Sequence, residues 1–133
     1  MPFFKDADDV YKYLGGVFQT AATTDVGPKM AAADIDLTIY YTDPESVMTV
    51  TMHGDNIEVF LGEEREDADV KLFMPADIGD KYWRGEYNLA VGLAKGHVKA
   101  KGPVNKILKL VPLTKPLFPI YREGVAEKDA LVA

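Results

Sequence analysis

Cysteine is absent from this 133-residue chain, so disulfides, thiolate nucleophiles and cysteine-ligated zinc or iron–sulfur sites are excluded. Long apolar runs are missing as well, since none approaches the ~20 residues of a membrane-spanning helix. Without a charged-then-apolar leader, a cytoplasmic location is the expectation. Histidine occurs twice, and His53 and His97 stand 44 residues apart, outside the i, i+4 and HExxH spacings with which paired histidines grip a metal. Both are read as structural or solvent-facing. A glycine-rich phosphate loop is also lacking, because Gly92 and Gly96 follow a helical pattern instead of preceding one.

Negative charge dominates the rest, with a formal net charge of −6, which argues against nonspecific nucleic-acid binding. The distribution is uneven. Residues 1–80 carry 17 acidic and 5 basic side chains, whereas residues 81–133 carry 4 acidic and 10 basic ones. If the later half forms a surface, that surface is basic and suits an anionic lipid headgroup or membrane. The length sets one domain, which buries roughly two thirds of the area its unfolded chain exposes. That domain is 1–133, with 123–133 expected to form a polar, frayed tail.

Hydrophobic periodicity supplies the elements. Residues 6–23 place Val10, Tyr13, Leu14, Val17, Phe18 and Ala21 on one helical face, with Asp6, Asp8 and Asp9 at the positive end of the helix dipole. Gly15-Gly16 inside that helix calls for close packing or a bend. Gly27-Pro28 reads as the end of this region. Four strands follow, 34–41, 46–53, 57–62 and 68–74, each alternating apolar and polar residues, and they are expected to form an antiparallel meander. The run from Glu63 to Asp67 reads as a solvated turn.

Pro75 ends the fourth strand and opens a helix carrying Ile78, Tyr82 and Trp83. Gly85 closes it. A second helix from about Asn88 carries Leu89 and Leu93 and is capped by Gly96. The short basic strand His97-Val98-Lys99-Ala100-Lys101 joins the sheet as an edge. Gly102-Pro103 then starts a helix with Val104, Ile107, Leu108 and Val111 on one side and Lys106 and Lys109 on the other. The tail beyond, with Leu117, Phe118 and three prolines, is apolar enough to pack back onto the domain.

Residues 67–111 resemble the sterol carrier protein 2 (SCP2-like) lipid-transfer domains. The residues carrying this are the Trp83-x-Gly85 helix end and the run Gly96-His97-Val98-Lys99-Ala100-Lys101-Gly102 leading into Ile107, Leu108 and Leu110. Pro103-Val104 departs from the acidic residue and methionine of many members. The resemblance implies an α+β fold, a five-stranded mainly antiparallel sheet with helices on one face, enclosing an apolar tunnel. It implies non-catalytic binding and transfer of sterols, fatty acids, fatty acyl-CoA or phospholipids, with no cofactor and no metal. Expected lining positions are Val50, Met52, Val70, Leu72, Met74, Trp83, Leu89, Leu93, Ile107, Leu108, Val111, Leu117 and Phe118. Lys99, Lys101, Lys106 and Lys109 are candidates for headgroup or membrane contact.

Two other readings stand beside this one. Some SCP2-like domains hold a lipid for partner enzymes as accessory modules. The Tyr40/Asp43 pair, beside Tyr41, resembles the donor pair of small cone-type isomerases. Other carboxylate pairs, Asp34/Asp36, Asp67/Asp69 and Asp77/Asp80, fall on the polar phase of their elements and read as solvated faces.

Overall fold

A computed structural model describes residues 3–132, Val132 by its backbone alone. The first strands are β1 (Ile35–Thr42), β2 (Ser46–His53), β3 (Asn56–Leu61) and β4 (Val70–Pro75), and β5 (Lys99–Lys101) comes later. They form one sheet in the order β3-β2-β1-β4-β5. The expected α+β class and five strands are present, with one change of topology. β4 does not continue a meander from β3; it runs parallel to β1, with Leu37 opposite Val70 and Ile39 opposite Leu72. All other pairings are antiparallel.

That parallel pair needs a crossover, and the acidic segment 62–69 provides it. The segment passes over the outer sheet face, where Thr49 donates from Oγ1 to the Glu63 carbonyl at 2.8 Å and the Asp36 N–H donates to Asp69 at 2.7 Å. Arg65 lies over the Phe60 ring at 4.5 Å. Thr38 and Thr49, polar-phase residues of β1 and β2, are consequently buried and bonded to each other at 2.8 Å. The stretch expected to be a solvated turn is thus a strap. A pattern of alternation reports which face is wet, not which strand lies alongside.

On the inner face Met48, Val50 and Met52 are wholly buried, each worth roughly 1.5–3 kcal/mol relative to exposure. Helices cover this face. The first segment runs as α1 (Ala7–Val10), a π turn (Tyr11–Gly15) and α2 (Gly16–Ala21). Asp6 caps it by accepting from the Asp9 N–H at 2.9 Å. A Cβ on Gly15 would stand 2.6 Å from the Leu61 side chain, so the glycine lets the widened turn close onto β3. Contrary to the sequence expectation, Gly27-Pro28 does not end the helical region but lies inside α3 (Val26–Ala31). Pro28 is tolerated there because the first turn of a helix has no use for its missing N–H.

α4 (Ala76–Trp83) and α5 (Leu89–Lys95) fall where expected, with Asn88 capping α5 through the Val91 N–H and Gly96 left-handed at φ +78°. α6 (Val104–Thr114) is followed by a 3-10 turn (Lys115–Leu117) and α7 (Phe118–Val132). The segment from Glu123, expected to fray, is therefore helical through Val132, and Val125 is buried. Ala133 lies outside the described residues. Arg84 holds α7 down by donating to both oxygens of Asp129 at 2.8 and 3.0 Å and to Asp80 at 2.9 Å, while Lys128 pairs with Asp9.

Candidate apolar cavity between sheet and helices

β1, β2 and β4 present their inward residues to α2, α3, α4, α5 and α6, and a cavity of about 70 Å³ lies between the two layers. Leu37, Ile39, Met52, Leu72 and Met74 form its sheet wall. Phe18, Met30, Ile78, Trp83, Leu89, Ile107, Leu110 and Val111 form the helical wall. Trp83 is fixed by edge-on contacts, with ring centroids 5.2 Å from Phe18 and 5.2 Å from Tyr82. Gly79 also lines the space; a Cβ there would meet Leu14 at 3.0 Å and Tyr41 at 3.1 Å.

Among the described residues no acid, lysine, arginine or histidine lines this cavity. Three of the residues that line it, Tyr41, Tyr82 and Thr114, carry hydroxyls. Tyr82 and Thr114 bond to each other at 2.6 Å, and Thr114 donates to the Val111 carbonyl at 2.7 Å. Tyr41 is 4% exposed, and burial alone pushes its hydroxyl far above the ordinary tyrosine range. Outside the helical wall an open cleft of about 660 Å³ is bordered by Tyr87, Leu108, Pro112 and Phe118, and it shares Tyr82, Leu89 and Val111 with the cavity. Those three side chains are the partition.

Solved structures identify the architecture. The fold is similar to that of sterol carrier protein 2 from Yarrowia lipolytica in its apo form, with a TM-score of 0.63 and 16% identity over 82% of this chain and 89% of that one. This is the sterol carrier protein 2 fold. The same fold appears in UbiJ-SCP2, a ubiquinone synthesis protein, with a TM-score of 0.61 and 16% identity over 78% of this chain and 94% of that one. A part of the stereoselective inverting sec-alkylsulfatase Pisa1 from Pseudomonas sp. also matches, with a TM-score of 0.63 and 20% identity over 72% of this chain; the match spans only 15% of that enzyme. No family model and no curated protein matches the sequence.

Within the SCP2 fold the expected lining residues divide into groups. Met52, Leu72, Met74, Trp83, Leu89, Ile107 and Val111 border the cavity. Val50, Val70 and Leu117 are wholly buried but lie outside that lining, behind it in the packed core. Leu108 and Phe118 border the outer cleft, and Leu93 borders a separate open groove beside β5. Leu37, Ile39, Phe18, Met30, Ile78, Tyr82 and Leu110 line the cavity without having been singled out. Inward phase was the available signal for Leu37 and Ile39; for the others, helix placement decides.

Lys99, Lys101, Lys106 and Lys109 are all exposed, the first two on the edge strand and the others on α6. Tyr40 and Asp43 lie outside the cavity lining. Tyr40 stacks on Phe73, on the opposite face of the sheet from Tyr41, with centroids 4.7 Å apart, and Asp43 is exposed in the turn after β1. Asp80, expected on a solvated face, is instead 7% exposed. Burial pushes its carboxyl above the ordinary range, against hydrogen bonds from Tyr121 and Arg84. Among the described residues no group of three or more acidic or histidine side chains is arranged to hold a metal ion. Both ring nitrogens of His53 are taken by hydrogen bonds to Asp34 and Asp36, each 2.6 Å.

Proposed function

We propose that this chain binds hydrophobic molecules non-catalytically in the cavity between sheet and helices and transfers them between membranes. The observation that carries the reading is a cavity lined by apolar residues and three hydroxyl-bearing ones, with no ionic side chain among the described residues, inside an SCP2 fold. Each methylene moved from water into such a space contributes about 0.8 kcal/mol, so a hydrocarbon chain supplies the affinity with few polar contacts. Sterols, fatty acids, acyl-CoA and phospholipids all offer such a chain. The present volume of about 70 Å³ is far below the roughly 300–1,000 Å³ of ordinary ligand sites. Loading therefore involves outward movement of the partition Tyr82, Leu89 and Val111 and repacking of Met30, Met52 and Met74, whose side chains adapt readily.

The outer cleft, with Leu108 at 36% exposure and Phe118 beside it, is the entry in this reading. Lys106 and Lys109 on the same helix, and Lys99 and Lys101 on β5, would draw the protein to anionic lipid at about 1 kcal/mol per lysine near the surface. Native mass spectrometry of the purified protein, followed by titration of the stripped protein with a fluorescent fatty acid, tests the binding. Retained lipid or saturable binding is expected, and an empty protein that takes up no probe refutes it.

A second reading, an accessory lipid-holding module, has its own support, because a similar fold forms 15% of the length of a larger enzyme. Vesicle-to-vesicle transfer separates the two. A carrier moves lipid unaided, while an accessory module binds lipid and transfers none without its partner.

A further inference from the structure

We infer that Tyr87 is the gate of the outer cleft, shut in this structure with its hydroxyl unsatisfied and so poised to swing open and admit a hydrocarbon chain toward the cavity. The inference rests on the lipid-binding reading above and names the residue that controls uptake. Tyr87 lies in the loop 84–88 between α4 and α5. It borders the cleft together with Leu108 and Phe118, two residues before the partition residue Leu89. Its hydroxyl is lodged against Gly92 of α5, so closely that a Cβ there would stand 2.1 Å from the oxygen and 2.7 and 2.8 Å from the nearest ring carbons. In that niche the oxygen is sealed from solvent. Among the described residues it is the one buried side-chain polar atom without a hydrogen-bond partner.

The helix it touches cannot satisfy it. The Gly92 N–H donates to the Asn88 carbonyl at 3.0 Å, and the Gly92 carbonyl accepts from the N–H groups of His97 at 2.9 Å and Val98 at 3.2 Å, which takes up both of its lone pairs. A buried hydroxyl with no partner is uncommon, and its desolvation goes uncompensated for as long as the side chain stays in the niche. Rotation into the cleft brings the oxygen to water and removes that cost, so the closed position is less secure than its apolar packing alone would make it. The backbone on either side is tied, the Glu86 N–H to the Lys81 carbonyl at 2.9 Å and the Val91 N–H to the Asn88 side chain at 3.1 Å. The moving part is therefore the Tyr87 side chain. Its departure withdraws a ring from beside Leu89, where the partition divides cleft from cavity.

The test follows uptake and release of the fluorescent fatty acid cis-parinarate by the full chain in stopped flow, in wild type, Tyr87→Phe and Gly92→Ala. Tyr87→Phe keeps a ring in the niche and removes the oxygen, which stabilises the closed state and not the open one. Uptake and release are both expected to slow by about fivefold or more, with equilibrium affinity unchanged and the melting temperature raised. A residue that only packs would shift the melting temperature without moving the two rates together. Gly92→Ala places a Cβ where the hydroxyl sits and is expected to hold the gate ajar, so that uptake and release quicken although the protein melts lower. Rates in Tyr87→Phe within about twofold of wild type, or a lowered melting temperature, overturn the inference while leaving lipid binding intact. So does a folded Gly92→Ala protein that takes up the probe no faster than wild type. Wild type that binds no parinarate overturns the lipid-binding reading and the gate together.

Discussion

Replacing Leu110 by phenylalanine separates a cavity held open for a ligand from an imperfectly filled core. Leu110 lies on α6, is 6% exposed and faces the void. At about 24 cal/mol per Å³ of empty volume, a void of about 70 Å³ costs the ligand-free protein roughly 1.7 kcal/mol. A phenylalanine that fills part of it recovers at most that amount, less any strain from overpacking. For a domain of this length, with about 3–6 °C per kcal/mol, the melting temperature of Leu110→Phe stays level or rises by up to ~10 °C. Affinity for a fluorescent fatty acid falls at least about tenfold, because the same volume receives the chain. Leu110→Ala is the counterpart, enlarging the void at a cost of about 2–5 kcal/mol while retaining binding. Differential scanning calorimetry and probe titration on the same samples provide both readouts. A Leu110→Phe protein that melts more than ~6 °C lower and binds the probe as well as wild type would refute the argument, since it would place a filled core at α6 and the lipid elsewhere.

Three further outcomes follow from the geometry. Asp80→Ala strands the Arg84 Nε and the Tyr121 hydroxyl at a position only 7% exposed; with Asp129 still holding Arg84, the expected loss is about 2–4 kcal/mol, measured by urea unfolding. Gly102→Ala puts a Cβ 2.1 Å from the Asp69 carbonyl at φ +102°, and a loss of at least about 2 kcal/mol, with β5 detached from β4, should appear as faster amide exchange at Lys99–Lys101. His53 is held above its ordinary pKa by hydrogen bonds to Asp34 and Asp36, which outweigh desolvation. Because the folded value is the raised one, its stabilisation is complete below about pH 6.5, the unfolded value, and is lost as pH rises through the folded value. Melting temperature should therefore decline across that window in wild type and not in His53→Gln, and added salt should flatten the wild-type decline because the site is exposed.

Much of the fold was legible because local rules and tertiary structure agree. Pro75, Gly85, Asn88 and Gly96 delimit α4 and α5 where turn and cap chemistry place them, and the alternation in β1 and β2 assigns Leu37, Ile39, Val50 and Met52 to the buried face. The errors came where a local signal has two outcomes. Gly27-Pro28 can stop a helix or sit in its first turn, and the packing of Gly27 against the Ala21 carbonyl selects the second. The polar residues after Glu123 look solvated in sequence, yet Asp129 and Lys128 find Arg84 and Asp9, more than 40 residues away.

The cavity divides in the same way. The sequence by itself determined which residues are apolar and, through periods of 2 and 3.6, which of them turn inward; that Met52, Leu72, Met74, Trp83, Leu89, Ile107 and Val111 border a cavity instead of filling a core was implied by the family resemblance alone. Only the tertiary structure decided that β4 pairs with β1, that the strap 62–69 closes the outer face, and that the inward side chains leave a gap at Tyr41 while Val50, Val70 and Leu117 pack solidly. The reason is that periodicity specifies the direction of a side chain relative to its own element, whereas a void is a shortfall of volume among side chains from several elements that meet only in the folded chain.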